Sequence, residues 1–216
     1  MYFAIEGVIG VGKTTLARLL QNSFDAELQL EVFEENPFLS SFYSDRARYA
    51  FQTQIFFLLS RYHQQRRAIP ELIANGKNVI SDYTFEKDAL FAYVNIKGDE
   101  LVVYNQVHEA LAEKIARPEL IVYLRADTDV LMQRIASRDR SYERQMERAY
   151  IEELGRAYDE FFSRRGRAVP VLPIDTDKLD YVRHTEDLVW VEKRIRQALA
   201  NPPLQPSLLI PPIPQA

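Results

Sequence analysis

Gly7-Val8-Ile9-Gly10-Val11-Gly12-Lys13-Thr14-Thr15 is the stretch on which the reading of this chain turns. It fits the pattern G-x-x-x-x-G-K-[ST] at every fixed position. Before it, Tyr2 to Glu6 is a short apolar run of strand type. After it, Thr14 to Phe24 has helical periodicity, with Leu16, Leu19 and Leu20 on one face. Strand, glycine loop and helix is the setting such a loop needs. Its glycines let successive backbone N–H groups turn inward around a phosphate, and the helix N-terminus adds partial positive charge. Gly7, Gly10, Val11, Gly12, Lys13, Thr14 and Thr15 are therefore assigned to a nucleoside triphosphate. Lys13 is expected to bridge its β- and γ-phosphates, and the Thr14 hydroxyl to help hold Mg²⁺.

The bulk numbers narrow the class. A chain of 216 residues with 47% hydrophobic side chains is long enough for one α/β domain with a sizeable core. A net charge of −4 argues against nucleic acid as a partner. Without a cysteine, disulfides, thiolate zinc sites and cysteine nucleophiles are excluded. His63, His108 and His184 show no ligand spacing and are read as surface or packing residues. The first strand begins at Tyr2, which leaves no room for a signal peptide, and no apolar run approaches a membrane span. The expectation is a cytoplasmic or organelle-matrix protein, away from membranes.

Strand and helix patterns alternate along the chain, as in a parallel sheet with helices on both faces. Further strands are expected at Leu28–Val32, Asn78–Ser81, Leu120–Leu124 and Ala168–Ile174, making five. Helices are expected at Tyr49–Asn75, Asp99–Ala116, Thr128–Ser137, from the arginine cluster to about Arg165, and at Glu186–Leu199. Residues 1–200 read as one domain. From Asn201 to Ala216 the chain carries six prolines and reads as an extended tail.

In open α/β sheets ligands bind beyond the carboxyl ends of the strands. Glu31 stands at the end of the second strand and Asp82 follows the third, so two carboxylates converge on the γ-phosphate region. One can act as base toward an acceptor hydroxyl and the other can hold Mg²⁺. The plainer alternative is that they cap the following helices. Arg134, Arg138, Arg140, Arg144 and Arg148 crowd one stretch. Arg138 and Arg140, at a helix end, suit a lid that closes over the transferred group and excludes water. The alternative there is a solvated basic face.

At these residues the chain resembles the deoxyribonucleoside kinases, the group of deoxycytidine, deoxyguanosine and bacterial deoxyadenosine kinases, over Tyr2 to about Leu199. Glu6–Thr15 matches the family's loop, and Glu31–Pro37 (EVFEENP) matches its bacterial segment. The resemblance implies a P-loop kinase fold, a five-stranded parallel sheet with an arginine-rich lid. It implies transfer of a phosphoryl group from Mg-ATP to a deoxyribonucleoside 5′-hydroxyl. Glu31 is then the catalytic glutamate. Tyr43 and Glu143 hold the sugar 3′-hydroxyl, Gln54 pairs with the base, and Arg61 and Asp88 meet near that base. Arg134, Arg138 and Arg140 belong to the lid, with Arg138 and Arg140 catalytic. The Arg61/Asp88 pair leans the acceptor toward deoxyadenosine, deoxyguanosine or deoxycytidine. Family members dimerise through helices beside the sheet, and Tyr49–Asn75 and Asp99–Ala116 are the candidates here.

One departure matters. Many relatives have Asp/Glu-Arg where this chain has Asp82-Tyr83, so an arginine on the 5′ side is missing and Tyr83 stands in its place. Arg61 or a lid arginine is the expected compensation. Phe51, Phe85 and Phe91 are available to sandwich the base, although each also suits the core. Two rival readings stay open: a nucleoside monophosphate kinase of thymidylate kinase type, and a non-catalytic nucleotide-binding module. A GTPase is disfavoured by the lack of an N-K-x-D segment.

Overall fold

The computed structural model describes residues 1–33, 35–163 and 168–202. Five parallel strands form one sheet in the order β2-β3-β1-β4-β5, with β1 Tyr2–Glu6, β2 Ala26–Gln29, β3 Asn78–Ser81, β4 Leu120–Arg125 and β5 Val171–Asp175. Helices surround it: α1 Lys13–Leu20, α2 Leu39–Ser44, α3 Arg46–Ala74, α4 Glu86–Asn95, α5 Gly98–Ala112, α6 Thr128–Arg138, α7 Arg148–Ser163 and α8 Thr185–Ala200. Every residue of β1 is buried, because the strand is central and covered on both faces. Phe3, Ile5, Ile80, Ile121, Val122 and Leu124 form the heart of the core.

The expected strand count and parallel sense hold. The second strand differs: it runs Ala26–Gln29 rather than Leu28–Val32. Among the described residues it is an edge strand whose only neighbour is β3, and it stops where β3 stops, at Gln29 opposite Ser81. Glu31 thus lies in the loop beyond the strand. The last strand begins three residues later than expected, at Val171, where it pairs with Ile121 of β4. The first helix ends at Leu20 rather than Phe24, and a turn with Asp25 at φ 46° follows. The long helix begins at Arg46 rather than Tyr49, because Asp45 caps it by accepting from Arg48 N at 3.2 Å. The helices α2 and α4 were not expected. Most of the tail, from residue 203, and the end expected for α7 at Arg165 lie outside the described residues.

His108 of α5 is a packing residue, stacked on Phe85 with ring centroids 4.9 Å apart. Burial lowers its pKa below 6.5, against the weaker upward pull of the Phe85 carbonyl, Glu86 and Glu109. The folded state thus prefers the neutral ring. The contribution is whole above pH 6.5 and is lost as pH falls through the lower folded value. Between about pH 7.5 and about pH 5.5 the melting temperature is expected to fall, and His108→Phe, which keeps the stack, is expected to shrink that fall. An identical pH dependence in the variant would refute the assignment.

Candidate active site

The phosphate loop is wedged between two elements. Gly10, at φ +87°, sits against α6, where a Cβ would lie 2.8 Å from Ile135 Cγ1 and 3.0 Å from the Leu131 carbonyl oxygen. On its other side, Tyr181 Oη approaches the Val11 and Gly12 carbonyls at 3.4 Å. Lys13 Nζ donates to the carbonyls of Gly7 (2.7 Å) and Val8 (3.2 Å), which holds it over the loop. Burial, with the Lys87 charge next, lowers the Lys13 ammonium to about 8.

Glu6, at the end of β1, ties this loop to the rest of the site. Its fully buried carboxylate accepts from Gly7 N (3.1 Å), Tyr158 Oη (3.1 Å), Thr84 N (2.6 Å) and Thr84 Oγ1 (3.0 Å). Burial pushes the Glu6 carboxyl up, while Lys87, Lys13 and the two backbone N–H groups pull it down. Each carboxylate oxygen serves two donors. In Glu6→Gln the amide nitrogen replaces one oxygen and faces a hydroxyl, which can turn to accept from it, and a buried backbone N–H, which loses its acceptor. A loss of about 2–4 kcal/mol in urea unfolding is expected, with an unchanged m-value. A change below about 0.5 kcal/mol would contradict this role for Glu6.

The strand order places β2 and β1 on either side of β3. This brings the loops after all three strands together, although the loop after β3 lies more than fifty positions from the residues it meets in the other two. Asp82 joins two of them: Thr14 Oγ1 donates to its Oδ2, and Glu31 N donates to its Oδ1 at 2.8 Å. Thr14 and Asp82 together form an oxygen-only donor set of the kind a hard divalent cation takes. Among the described residues no group of three or more His, Cys, Asp or Glu side chains could form a metal cage. A cation here would complete its shell with phosphate oxygens and water.

Glu31 is held at both oxygens. Arg61 Nη2 of α3 donates to Oε1, and Lys87 Nζ of α4 donates to Oε2 at 2.6 Å. Burial by itself would raise this carboxyl. The charges and hydrogen bonds of Arg61 and Lys87 outweigh it and hold Glu31 well below the usual carboxylate range. Arg61, one of the two compensations named for the arginine missing at position 83, thus reaches Glu31. Lys87 was not foreseen. It lies in the first turn of α4, four residues before Phe91, on the face turned to the cavity.

One cavity contains Lys13, Thr14, Glu31, Tyr43, Gln54, Arg61, Asp82, Arg138, Arg140 and Glu143 on its wall, together with Phe33, Phe57, Phe91 and Tyr142. Of the three aromatic residues singled out in the sequence, only Phe91 lines it. Phe85 stacks on His108 and Phe51 packs against the core. Tyr142 lies nearly parallel to Tyr43, with centroids 6.2 Å apart. Two expected substrate residues stand off the wall. Asp88 pairs with Arg61 Nη1, as expected, but is fully buried behind it. Tyr83 is buried too, and its hydroxyl donates to Gln64 Oε1 at 2.8 Å. Side chains alternate across an extended segment, so Tyr83 turns away from the face that Asp82 presents.

The arginine cluster divides. Arg138 forms a bidentate pair with Glu143 (Nη2 to Oε1, 2.6 Å; Nε to Oε2, 3.1 Å), and Arg140 stacks over Phe33 at 4.1 Å. Glu143 itself sits in a short 3-10 helix, Ser141–Glu143. Arg134 fastens the phosphate loop to the end of β5, donating to Thr176 Oγ1 (3.0 Å), the Thr176 carbonyl (2.8 Å) and the Val11 carbonyl (3.4 Å). Arg144 and Arg148 pair with Asp139 and Asp129 on the exposed surface, so the solvated-face reading is right for them.

A second cavity lies across the loop, lined by Gly10, Val11, Gly12, Thr15, Gln133, Arg134, Arg138 and the stretch 177–183. The chain thus offers two chambers on either side of one glycine loop, with Arg138 bordering both. The sequence signalled only the loop and the lid; the 177–183 stretch carries no motif.

The sequence model of the family described as deoxynucleoside kinase matches residues 3–199. A deoxyguanosine kinase of Bacillus subtilis is 32% identical over 201 residues, covering 92% of this chain and 97% of that one. A deoxyadenosine/deoxycytidine kinase of the same organism is 31% identical over 195 residues, covering 86% and 88%. The structure of a deoxyadenosine kinase from M. mycoides with bound dATP aligns with a TM-score of 0.78 at 26% identity, covering 91% of this chain and 99% of that one. The alignment gives this chain the P-loop fold of the deoxynucleoside kinases. This chain is a phosphotransferase that belongs to the deoxynucleoside kinase family.

Proposed function

We propose that this kinase phosphorylates the 5′-hydroxyl of deoxyadenosine, deoxyguanosine or deoxycytidine, with Mg-ATP as donor, in nucleotide salvage. The observation that carries the reading is the clamped Glu31 carboxylate on the cavity wall shared with Lys13, Arg138 and Gln54. A 5′-hydroxyl is a poor nucleophile, and an ionised carboxylate within reach accepts its proton as attack proceeds. Arg61 and Lys87 keep Glu31 ionised across the working pH range, so it is always in the accepting form.

The other roles follow from chemistry and position. The phosphate loop from Gly7 to Thr15 cradles the triphosphate, with Lys13 on its β- and γ-phosphates. Thr14 and Asp82 would hold Mg²⁺, which supplies charge neutralisation on those phosphates when bound. Arg138 leaves Glu143 and Arg140 leaves the Phe33 ring to meet the transferring group, and Arg134 steadies the loop on the donor side. Tyr43 and Glu143 take the 3′-hydroxyl. Gln54 offers the base one donor and one acceptor. Arg61, backed by Asp88, presents guanidinium donors on the same wall.

We take residues 1–200 as the catalytic domain and 201–216 as an appended tail. We also propose a homodimer, in which a second copy covers Leu59 and Ile73 of α3 and Val102 and Val103 of α5, all exposed. Light scattering tests it directly: a monomer at micromolar concentration refutes it. We place it in the cytoplasm, without membrane or nucleic-acid partners; the net charge of −4 disfavours the last of these. Among the described residues, no helix is long and apolar enough to cross a membrane.

The test of function is steady-state turnover of the four natural deoxynucleosides, their ribose counterparts and their monophosphates with Mg-ATP. Turnover of a purine or cytosine deoxynucleoside is the expected result. A thymidine preference would overturn the base assignment, and turnover of monophosphates alone would overturn the acceptor assignment.

A further inference from the structure

We infer that Lys87 is a positioning residue for phosphoryl transfer: together with Arg61 it fixes the plane and aim of the Glu31 carboxylate toward the acceptor hydroxyl. The inference rests on the reading of Glu31 as the base.

Glu31 belongs to no helix or strand. Its backbone N–H is anchored to Asp82 Oδ1 at 2.8 Å, but that leaves the side chain free to turn. One cation on one oxygen would still let the carboxylate swing about its last torsion. Here each oxygen has its own cation, and the two come from different helices, Arg61 from α3 and Lys87 from α4. That is a two-point fixture, and holding a reacting group in place is worth orders of magnitude in rate.

The two cations are not equivalent. Arg61 also pairs with Asp88 and lies 4.6 Å from the Phe57 ring, so it has duties beyond Glu31. Among the described residues, Lys87 has a single hydrogen-bond acceptor, Glu31 Oε2, with the Phe91 ring 5.5 Å away. It is 7% exposed. A buried ammonium is costly to desolvate, and removing it alone leaves its partner's charge less compensated. Arg61 faces two carboxylates, Glu31 and Asp88, so Lys87 also supplies the second positive charge of this cluster. Lys87 is in turn held in place from behind. Thr84, at the approach to α4, donates its N–H and hydroxyl to Glu6, whose other oxygen accepts from Gly7 N. Two hydrogen-bonded links, Gly7–Glu6–Thr84 and Lys87–Glu31, are thus joined through the backbone of residues 84–87 at the start of α4. They set the donor cradle and the acceptor base at a fixed spacing.

The test uses the full chain with Mg-ATP and the deoxynucleoside it turns over fastest. Lys87→Met is expected to lower kcat about 30-fold and to change KM for the deoxynucleoside and for ATP less than about threefold. Lys87→Arg is expected to recover kcat to within about fivefold of wild type. In the double variant with Glu31→Gln, Lys87→Met is expected to cost less than about twofold further, because its partner is already gone. Losses that multiply in the double variant overturn the inference, since Lys87 would then act on its own. An unchanged kcat in Lys87→Met beside a collapsed Glu31→Gln overturns it alone. An unchanged kcat in Glu31→Gln overturns the base reading and this inference with it. Loss of melting temperature and kcat together, unrepaired in Lys87→Arg, shows a packing role and overturns it too. If Lys87→Met does not fold, Lys87→Gln against Lys87→Arg makes the same comparison.

Discussion

Glu31→Gln is expected to lower kcat by about 10³-fold while KM for the deoxynucleoside changes only a few-fold. The amide keeps the size of the carboxylate and can accept from Arg61 through its oxygen. Its nitrogen then faces Lys87, donor against donor, and neither amide atom accepts a proton from the acceptor hydroxyl. The base and sugar contacts proposed for Gln54 and Tyr43 lie elsewhere on the wall and are untouched. The loss should therefore fall on the chemical step rather than on binding. Product formation in a single turnover, with enzyme in excess, separates the two. A kcat within tenfold of wild type would remove Glu31 from the role of base and leave it as a structural carboxylate between two cations.

Gly7→Ala is the substitution expected to cost the most stability, about 3 kcal/mol or more. The backbone there has φ +146°, and a Cβ would stand 2.4 Å from the carbonyl oxygen of Leu124 and 2.9 Å from Val11 Cγ1. Leu124 belongs to β4, and β4 pairs with β1 up to Glu6, the residue before Gly7. The clash is thus backbone against side chain between neighbouring central strands, and relieving it means prising them apart. Gly12 is the instructive contrast. Its Cβ would meet Tyr181 Oη at 2.5 Å, the far end of a side chain that can rotate, so Gly12→Ala should cost about 1–2 kcal/mol, chiefly for its φ of +100°. Gly98→Ala, with nothing within 4 Å and φ +60°, should cost about 1 kcal/mol. Urea unfolding of the three variants gives the order directly. Gly7→Ala no worse than Gly98→Ala would show that the loop, not the strand packing, sets the requirement.

This contrast marks how far the site could be read from residues alone. The stretch Gly7–Thr15 carries three glycines, two of them fixed by the pattern, which does not say what each is for. Their reasons differ, and each lies in a neighbour remote in sequence: Leu124 for Gly7, Ile135 for Gly10, Tyr181 for Gly12. The lid shows the same limit. Five arginines look alike along residues 134–148, yet three meet the loop or the cavity and two pair on the surface. Asp88 and Tyr83 were legible as neighbours of the site, but the face each one takes was not.

By itself the sequence determined the strand–loop–helix phosphate cradle, the five parallel strands, the lid segment and the resemblance to the deoxyribonucleoside kinases. These depend on spacing within a few residues, where backbone sterics and the helical and strand periods act directly. The tertiary structure decided the early end of β2, the double clamp on Glu31, the place of Asp88 behind Arg61 and the part played by Lys87. All of these follow from one non-local choice, the placing of β3 between β2 and β1. That choice brings residue 31 against residues 61, 82 and 87. No local pattern encodes such a pairing, because its free energy comes from contacts that exist only once the sheet has assembled.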